Sequence, residues 1–374
     1  MTDHPPNRLN NIEEKFPYDK RALQYRDRGQ SGPVDIVVGL DFGTSSTKVV
    51  MQIPHLLGRP SYAVNFGDNA QVSMPYLLPT QLWFAEDASG RFSLNKCLGM
   101  KAVNDLKTRL FFPDLVLSKN DSPEQSISPE EAAAAYLALA LRCCRRWFLG
   151  NKYGAIRHFS HLRWAVNLGV PSPCITQNRV QDCFEHVGKA AWLLSLHDES
   201  EIVLSQIRAI LQWVDQEWVR DKDVACDFAL IPEIVAAARC YARGGPWECR
   251  NGLHMVVDAG ASTMDVCSFS LSNEKGDYSY QVLIPDVQML GTIKLHQDRI
   301  RAIPEAYIQN QRSYDPLAPI PTTEEYIENI PSSEREKVRL SICDQEREFR
   351  ERCRKMIQTV VNNRPAIRSR RPVA

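Results

Sequence analysis

Apolar and polar positions along this 374-residue chain repeat one arrangement twice. Residues 36–50 (IVVGLDFGTSSTKVV) and 255–268 (MVVDAGASTMDVCS) each start with a short β-branched apolar run and break at Asp-x-Gly. Each then passes through small hydroxyl residues and turns apolar again. Runs so short and so rich in valine and isoleucine predict strands, so each segment reads as strand, turn, strand. Tyr62–Val64 and Gln81–Phe84 predict further strands, with turns at 67–69 and 87–90. Leu162–Val170 (LRWAVNLGV) predicts a central strand that stops at Pro171.

Helical periodicity fills the intervals. Ala102–Phe112 predicts a helix, and Ser128–Leu149 a longer one. Ser128 is its N-cap, Pro129 its first position, and Glu131 completes a capping box. Alanine and leucine then run almost without interruption, which predicts burial. Thr176–Leu196 predicts a helix, Glu201–Val214 a strand and turn followed by helix, and Ala229–Tyr241 (ALIPEIVAAARCY) a Pro-Glu turn opening an alanine-rich helix. Residues 303–331 are polar and proline-rich. Ser333–Val361 then predicts a charged helix with Ser333 and Glu336 as a capping box. Its apolar stripe (Val338, Ile342, Phe349, Cys353, Met356, Ile357, Val360) predicts one face packed on a neighbour. Strands alternating with helices define an α/β class.

Length and composition (44% hydrophobic, 24% charged) suit a globular chain of two lobes. The expected division is a polar leader over 1–33, a first lobe with a connecting helix over 34–252, and a partial second lobe over 253–374. Zero net charge gives no electrostatic reason to expect nucleic acid or an anionic membrane as partner. No apolar run reaches the roughly 18–20 residues that cross a bilayer, and residues 1–30 lack the apolar core of a signal peptide. The eleven cysteines form no CxxC pair and no metal spacing with histidine. Cys143, Cys144, Cys240 and Cys267 read as small core residues, and a cytoplasmic location is expected.

A strand-turn-strand with glycine and hydroxyls at its tip can aim amides and hydroxyls at an anion. Two of them suggest two related lobes clamping one polyphosphate. ATP chemistry needs phosphate donors, carboxylates to hold magnesium through water, and a group that orients the attacking water. Gly43, Thr44 and Ser45 are candidates for one cradle, and Gly260, Ala261, Ser262 and Thr263 for the other. Asp41 and Asp258 come at the strand ends, two positions before the glycines. Converging there, they would repel each other unless a cation joined them, which points to Mg2+. Glu233 is placed to order water, and Lys107 or Lys48 to supply positive charge. Each also has a plainer reading: Asp41 and Asp258 as turn caps, Glu233 as a helix N-terminal acid, the lysines as solvated side chains.

These residues resemble the actin–chaperone–sugar kinase superfamily, most of all the nucleotide-binding domain of DnaK-type heat-shock chaperones. GLDFGTSSTKV is similar to that family's first phosphate motif, VVDAGASTMDV to its second, and AVNLGVPSP to the strand ending in Val-Pro. IPEIVAAARCY resembles the connecting segment, with Glu233, Ala236, Ala237, Ala238 and Tyr241 in register. NDLKTRLF resembles the segment with the catalytic lysine, which would be Lys107. The resemblance covers about Val34–Ile300. It implies an actin-like ATPase fold with ribonuclease H-like lobes, two of them around a nucleotide cleft.

The resemblance also implies roles. Asp41, Gly43, Thr44 and Ser45 would hold phosphates and magnesium water. Glu233 and Asp258 would hold magnesium through water, and Gly260–Thr263 would face the phosphates, with Thr263 near the terminal one. Asp265 matches the acid closing the second motif. The implied function is an ATP- and ADP-binding, slowly hydrolysing chaperone-like protein with a protein partner or client. An actin- or cell-division-like scaffold and a sugar kinase are the alternatives, though a kinase needs a further aspartate as base. Three departures stand out, one being the family's Leu-Gly-Gly-Glu-x-Phe-Asp signature, which becomes LGTIKLH at Leu290–His296 and loses both acids. Gly-Gly-Gly-Thr is replaced by Gly260-Ala261-Ser262-Thr263, whose added Cβ atoms restrict φ. No glycine follows Gly291, so the late glycine-pair adenosine motif is missing and the second lobe is expected to be incomplete.

Overall fold

The computed structural model describes residues 32–70, 73–87, 89–110, 127–156, 158–159, 161–171, 178–196, 202–218, 226–243, 251–274, 277–307 and 317–363. Most of the expected leader lies outside them. The chain divides into two compact units. One holds the described residues up to Val170 with Asn178–Leu230, the other Pro171 and the described residues from Ile231 onward. The division falls ahead of the 252/253 boundary expected from sequence, and puts the alanine-rich helix in the second unit.

In chain order the first unit contains β1 (Val34–Phe42), β2 (Ser46–Gln52), β3 (Ser61–Ala63), β4 (Leu78–Pro79), β5 (Leu82–Ala85), β6 (Arg91–Ser93) and β7 (Met100–Val103). There follow α1 (Leu106–Arg109), α2 (Pro129–Asn151), α3 (Tyr153–Ile156), β8 (Leu162–Val170), α4 (Asn178–Ser195), β9 (Ile202–Val203), α5 (Leu204–Glu217) and β10 (Asp227–Pro232), whose last two residues open the second unit. The main sheet runs β10-β8-β1-β2-β3 with β4 on β2, and a smaller sheet runs β7-β5-β6-β9. β1 alternates buried and half-buried positions because it is central: antiparallel to β2, and parallel to β8 from Val34↔Leu162 to Leu40↔Leu168.

Ser128 and Glu131 form the expected capping box of α2 (Glu131 N donates to Ser128 Oγ at 3.1 Å, Ser128 N to Glu131 Oε2 at 2.8 Å). Its alanines 132–135 are fully buried, and Tyr136 stacks on Phe42 of β1 with ring centroids 5.8 Å apart. Trp164 of β8 meets Phe148 of α2 and Trp192 of α4, so both helices cover one face of the sheet. The helix expected over Ala102–Phe112 is shorter. Met100–Val103 instead pairs with Leu82–Ala85 in β7, and helix starts after Asp105, a non-glycine residue with φ +58°. Cross-strand pairing overrides local helical preference there. Residues 111 and 112 lie outside the described set. Cys144 and Cys267 are buried as expected, whereas Cys240 is exposed and Cys143 only part-buried.

The second unit contains α6 (Glu233–Arg243), β11 (Gly252–Ala259), β12 (Met264–Glu274), β13 (Asp277–Gln288), α7 (Thr292–Arg301), α8 (Thr323–Ile327) and α9 (Ser332–Asn362). Its sheet is β11-β12-β13, antiparallel throughout. One face packs α6 through Ala238, Phe269, Leu271 and Val256. The other packs α9 through Met264, Val266, Leu290, Met356 and Val360. The α9 stripe serves two neighbours rather than one: Val338 and Ile342 pack with Ile303, Tyr326, Ile327 and Ile330 beside α7 and α8. The expected Ser333/Glu336 capping box is absent. Helix begins at Ser332 behind Pro331, whose fixed φ preorganises the start without a side-chain cap.

Arg299 ties the three helices together. Its guanidinium donates to Glu346 Oε1 of α9 (3.0 and 2.7 Å) and to the Pro321 carbonyl before α8 (2.8 Å). His296 Nδ1 hydrogen-bonds the Tyr326 hydroxyl; burial, with Arg299 beside it, lowers the imidazole pKa from its ordinary value. Among the described residues no helix is long and apolar enough to cross a membrane.

Candidate functional site

The two Asp-x-Gly segments fold into hairpins of the same register. In the first, Asp41 pairs with Lys48 and Phe42 with Thr47, leaving Gly43–Ser46 as the loop. In the second, Asp258 pairs with Asp265 and Ala259 with Met264, leaving Gly260–Thr263. Both loops therefore have four residues with glycine leading. A Cβ on Gly43 would lie 2.3 Å from the Ser46 carbonyl oxygen, and one on Gly260 would lie 3.3 Å from that of Thr263. Only glycine fits the first position; the second is looser.

Neighbouring groups fix which way each loop faces. Thr80, just after β4, donates its hydroxyl to the Gly43 carbonyl (2.7 Å) and its amide to the Ser45 carbonyl (2.9 Å). Its hydroxyl also lies 3.1 Å from that of Thr47. Tyr136, whose phenol is pushed well up by burial, donates to the Pro79 carbonyl at 3.1 Å and steadies the same corner. In the second unit the start of α7 does this work. The amides of Gly291, Thr292 and Ile293 donate to the carbonyls of Ser262 (2.9 Å), Gly260 (3.1 Å) and Ala261 (2.8 Å). In a trans peptide N–H and C=O point opposite ways. The amides of Thr44 and Ser46 are thus turned away from Thr80, and those of Ala261, Ser262 and Thr263 away from α7. Successive amides sharing a direction make an anion-binding concavity.

Sequence reasoning missed Thr80 and Gly291. Thr80 sits in a two-residue strand break without periodicity, and Gly291 stands apart from both motifs. A Cβ on Gly291 would come within 2.4 Å of the Ala261 and Ser262 backbone, a clash that sequence does not reveal. The Cβ atoms of Ala261 and Ser262, expected to restrict the loop, cause no strain, since neither residue has positive φ.

The remaining candidates sit as follows. Asp41 Oδ2 accepts from Lys48 Nζ at 3.0 Å, both half exposed, so this lysine is spent on its cross-strand neighbour. Lys107 lies in α1 with its side chain buried. Thr263 Oγ1 donates to Asp265 Oδ2 at 2.9 Å, and Asp265 is buried while Asp258, directly opposite, is exposed. Two carboxylates opposed on one face are unfavourable without a cation or donors nearby. Glu233 opens α6. Tyr241 near the far end of that helix meets His254 early in β11, and Ala238 packs with Val256 further on. The helix therefore runs antiparallel to β11, which brings Glu233 to the end of the unit that carries Asp258 and the 260–263 loop. Asp41, Gly43, Thr44, Ser45, Lys48 and Lys107 belong to the first unit; Glu233, Asp258, Gly260–Thr263 and Asp265 belong to the second. Among the described residues no three His, Cys, Asp or Glu side chains cluster as direct metal ligands.

No protein-family profile matches the chain, and no curated protein matches it. Solved structures do show likeness. One is an archaeal actin homologue in complex with ADP (15% identity, 86% of this chain and 82% of that one, TM-score 0.36). A second is a ParM filament from Clostridium botulinum (10% identity, 82% and 81%, TM-score 0.32). A third is the Ppx/GppA family member of Aquifex aeolicus (10% identity, 71% of this chain and 54% of that one, TM-score 0.28). Likeness at these TM-scores carries no residue correspondence. The α/β class read from the sequence agrees with the sheets and helices observed.

Proposed function

We propose that the chain binds ATP and ADP through its two glycine hairpins, as a divergent member of the actin–chaperone–sugar kinase superfamily. The observation that carries this reading is the shared hairpin register: Asp, four-residue loop with leading glycine, and loop carbonyls tied back so that the amides face away. Gly43, Thr44 and Ser45 would form a phosphate cradle in the first unit, and Gly260–Thr263 one in the second. The carboxylates that would hold magnesium through water are Asp41 in the first unit and Glu233 and Asp258 in the second, and the ion would supply charge neutralisation on the phosphates. The donor set fits it: Asp258 is exposed and Asp41 and Glu233 are partly exposed, oxygen donors of the kind preferred by a hard cation that keeps its waters. Glu233 would order the attacking water and Thr263 would lie near the terminal phosphate, with Lys107 as the candidate cation. Catalysis of this kind is positioning and electrostatics, and implies slow turnover.

Within the superfamily the chaperone-type reading is favoured by the IPEIVAAARCY segment, whose Glu233 sits at the loop end of the second sheet. A protein partner or client is implied by that reading. Titration calorimetry with Mg-ATP and Mg-ADP tests binding, and heat with both is expected. Phosphate release should fall at least tenfold in Glu233→Ala and Thr263→Ala. Absence of heat at millimolar nucleotide would overturn the proposal, and unchanged turnover in both variants would remove the catalytic assignments. Binding without turnover would make the nucleotide structural, as in a scaffold.

A further inference from the structure

We propose that β11 is a self-pairing edge: two copies of this chain join β11 to β11, antiparallel, into one six-stranded sheet. β11 is an outer strand of its sheet, and among the described residues no strand pairs with its other side. Leu253, Met255 and Val257 are 43%, 38% and 43% exposed. Their cross-strand partners are Ser270, Ser268 and Val266, and Val266 packs against Met356 and Val360 of α9. The three apolar side chains thus stand on the α9 face of the sheet, beyond the area that α9 covers.

Edges that must stay single carry lysine, proline or a bulge. β11 has none of these; its sequence is Gly-Leu-His-Met-Val-Val-Asp-Ala. It is also self-complementary. With a two-fold axis through Met255, that residue opposes its own copy, Leu253 opposes Val257, His254 opposes Val256 and Gly252 opposes Asp258. Six apolar side chains then line one face as direct cross-strand pairs. The only charged carboxylate of the strand faces glycine, so no like charges meet. A closed two-fold contact of this kind is the commonest form of self-association.

Sedimentation equilibrium of the full chain tests the proposal. The expected species has twice the 42.5 kDa chain mass. Met255→Lys and Val257→Lys should each weaken association at least about tenfold, with unchanged circular dichroism. Cysteine pairs read the register independently. Oxidised Met255→Cys should cross-link to itself above the parent background. Leu253→Cys should not, yet should cross-link when mixed with Val257→Cys. A monomer at all soluble concentrations would overturn the proposal. So would a dimer that survives both lysine variants, or equal self-cross-linking of Leu253→Cys and Met255→Cys.

Discussion

In the first unit the β1–β2 hairpin lies inside its sheet, with β8 on the far side of β1 and, beneath, a helix buried from Ala132 to Arg142. In the second, the β11–β12 hairpin has the same register and loop length, yet β11 is an edge with apolar side chains in solvent. The strand positions facing each other also differ: Asp41 meets Lys48, whereas Asp258 meets Asp265. Loop geometry survives this divergence because each loop is tied by its carbonyls. The ties themselves are unrelated: a threonine after β4 in one, the first amides of a helix in the other. A phosphate-type loop therefore depends on what holds its carbonyls as much as on its own glycines.

Substitutions separate the two hairpins. Gly291→Ala should cost roughly 3 kcal/mol in urea unfolding, since its Cβ would meet backbone atoms that cannot yield. Gly43→Ala should approach that loss, whereas Gly260→Ala should cost about 1 kcal/mol or less, because its nearest contact is looser. Similar losses at Gly43 and Gly260 would contradict the difference in tightness. Arg299→Ala should cost about 2 kcal/mol by taking the cation from part-buried Glu346, which keeps the Thr323 hydroxyl at 3.2 Å. Hydrogen exchange should place that loss in the second unit and leave α2 amides protected. Thr80→Val keeps the shape and removes the bond to the Gly43 carbonyl, so about 1 kcal/mol is expected, in the first unit alone.

The smallest effect is set by pH. Burial and Arg299 hold His296 below its ordinary value of 6.5. The folded second unit thus favours the neutral imidazole, and the unfolded chain takes up protons first as pH falls. Stability from this group is complete above about 6.5 and declines as pH drops towards the lower folded value. His296→Gln should flatten that slope in pH-dependent unfolding; a slope unchanged by the substitution would remove His296 as its source.

Both hairpins were legible because Asp-x-Gly between β-branched runs has few other solutions. The long helix α2 was legible to its capping box, since Ser128, Pro129 and Glu131 act within one turn. What sequence hid was tertiary. Met100–Val103 carries helix-compatible residues and became a strand because Leu82–Ala85 lay beside it. β13 had no motif to announce it. The apolar stripe of α9 gave the face but not that two cores would share it. Thr80 and Gly291 act on loops distant in sequence, and no local pattern reports such contacts.

Whether both loops hold phosphate can be read from amide chemical shifts on adding Mg-ADP. Thr44 and Ser46 in the first unit, and Ala261, Ser262 and Thr263 in the second, are expected to shift as Mg-ADP is added. Movement confined to one loop, or to neither, would contradict phosphate binding at both.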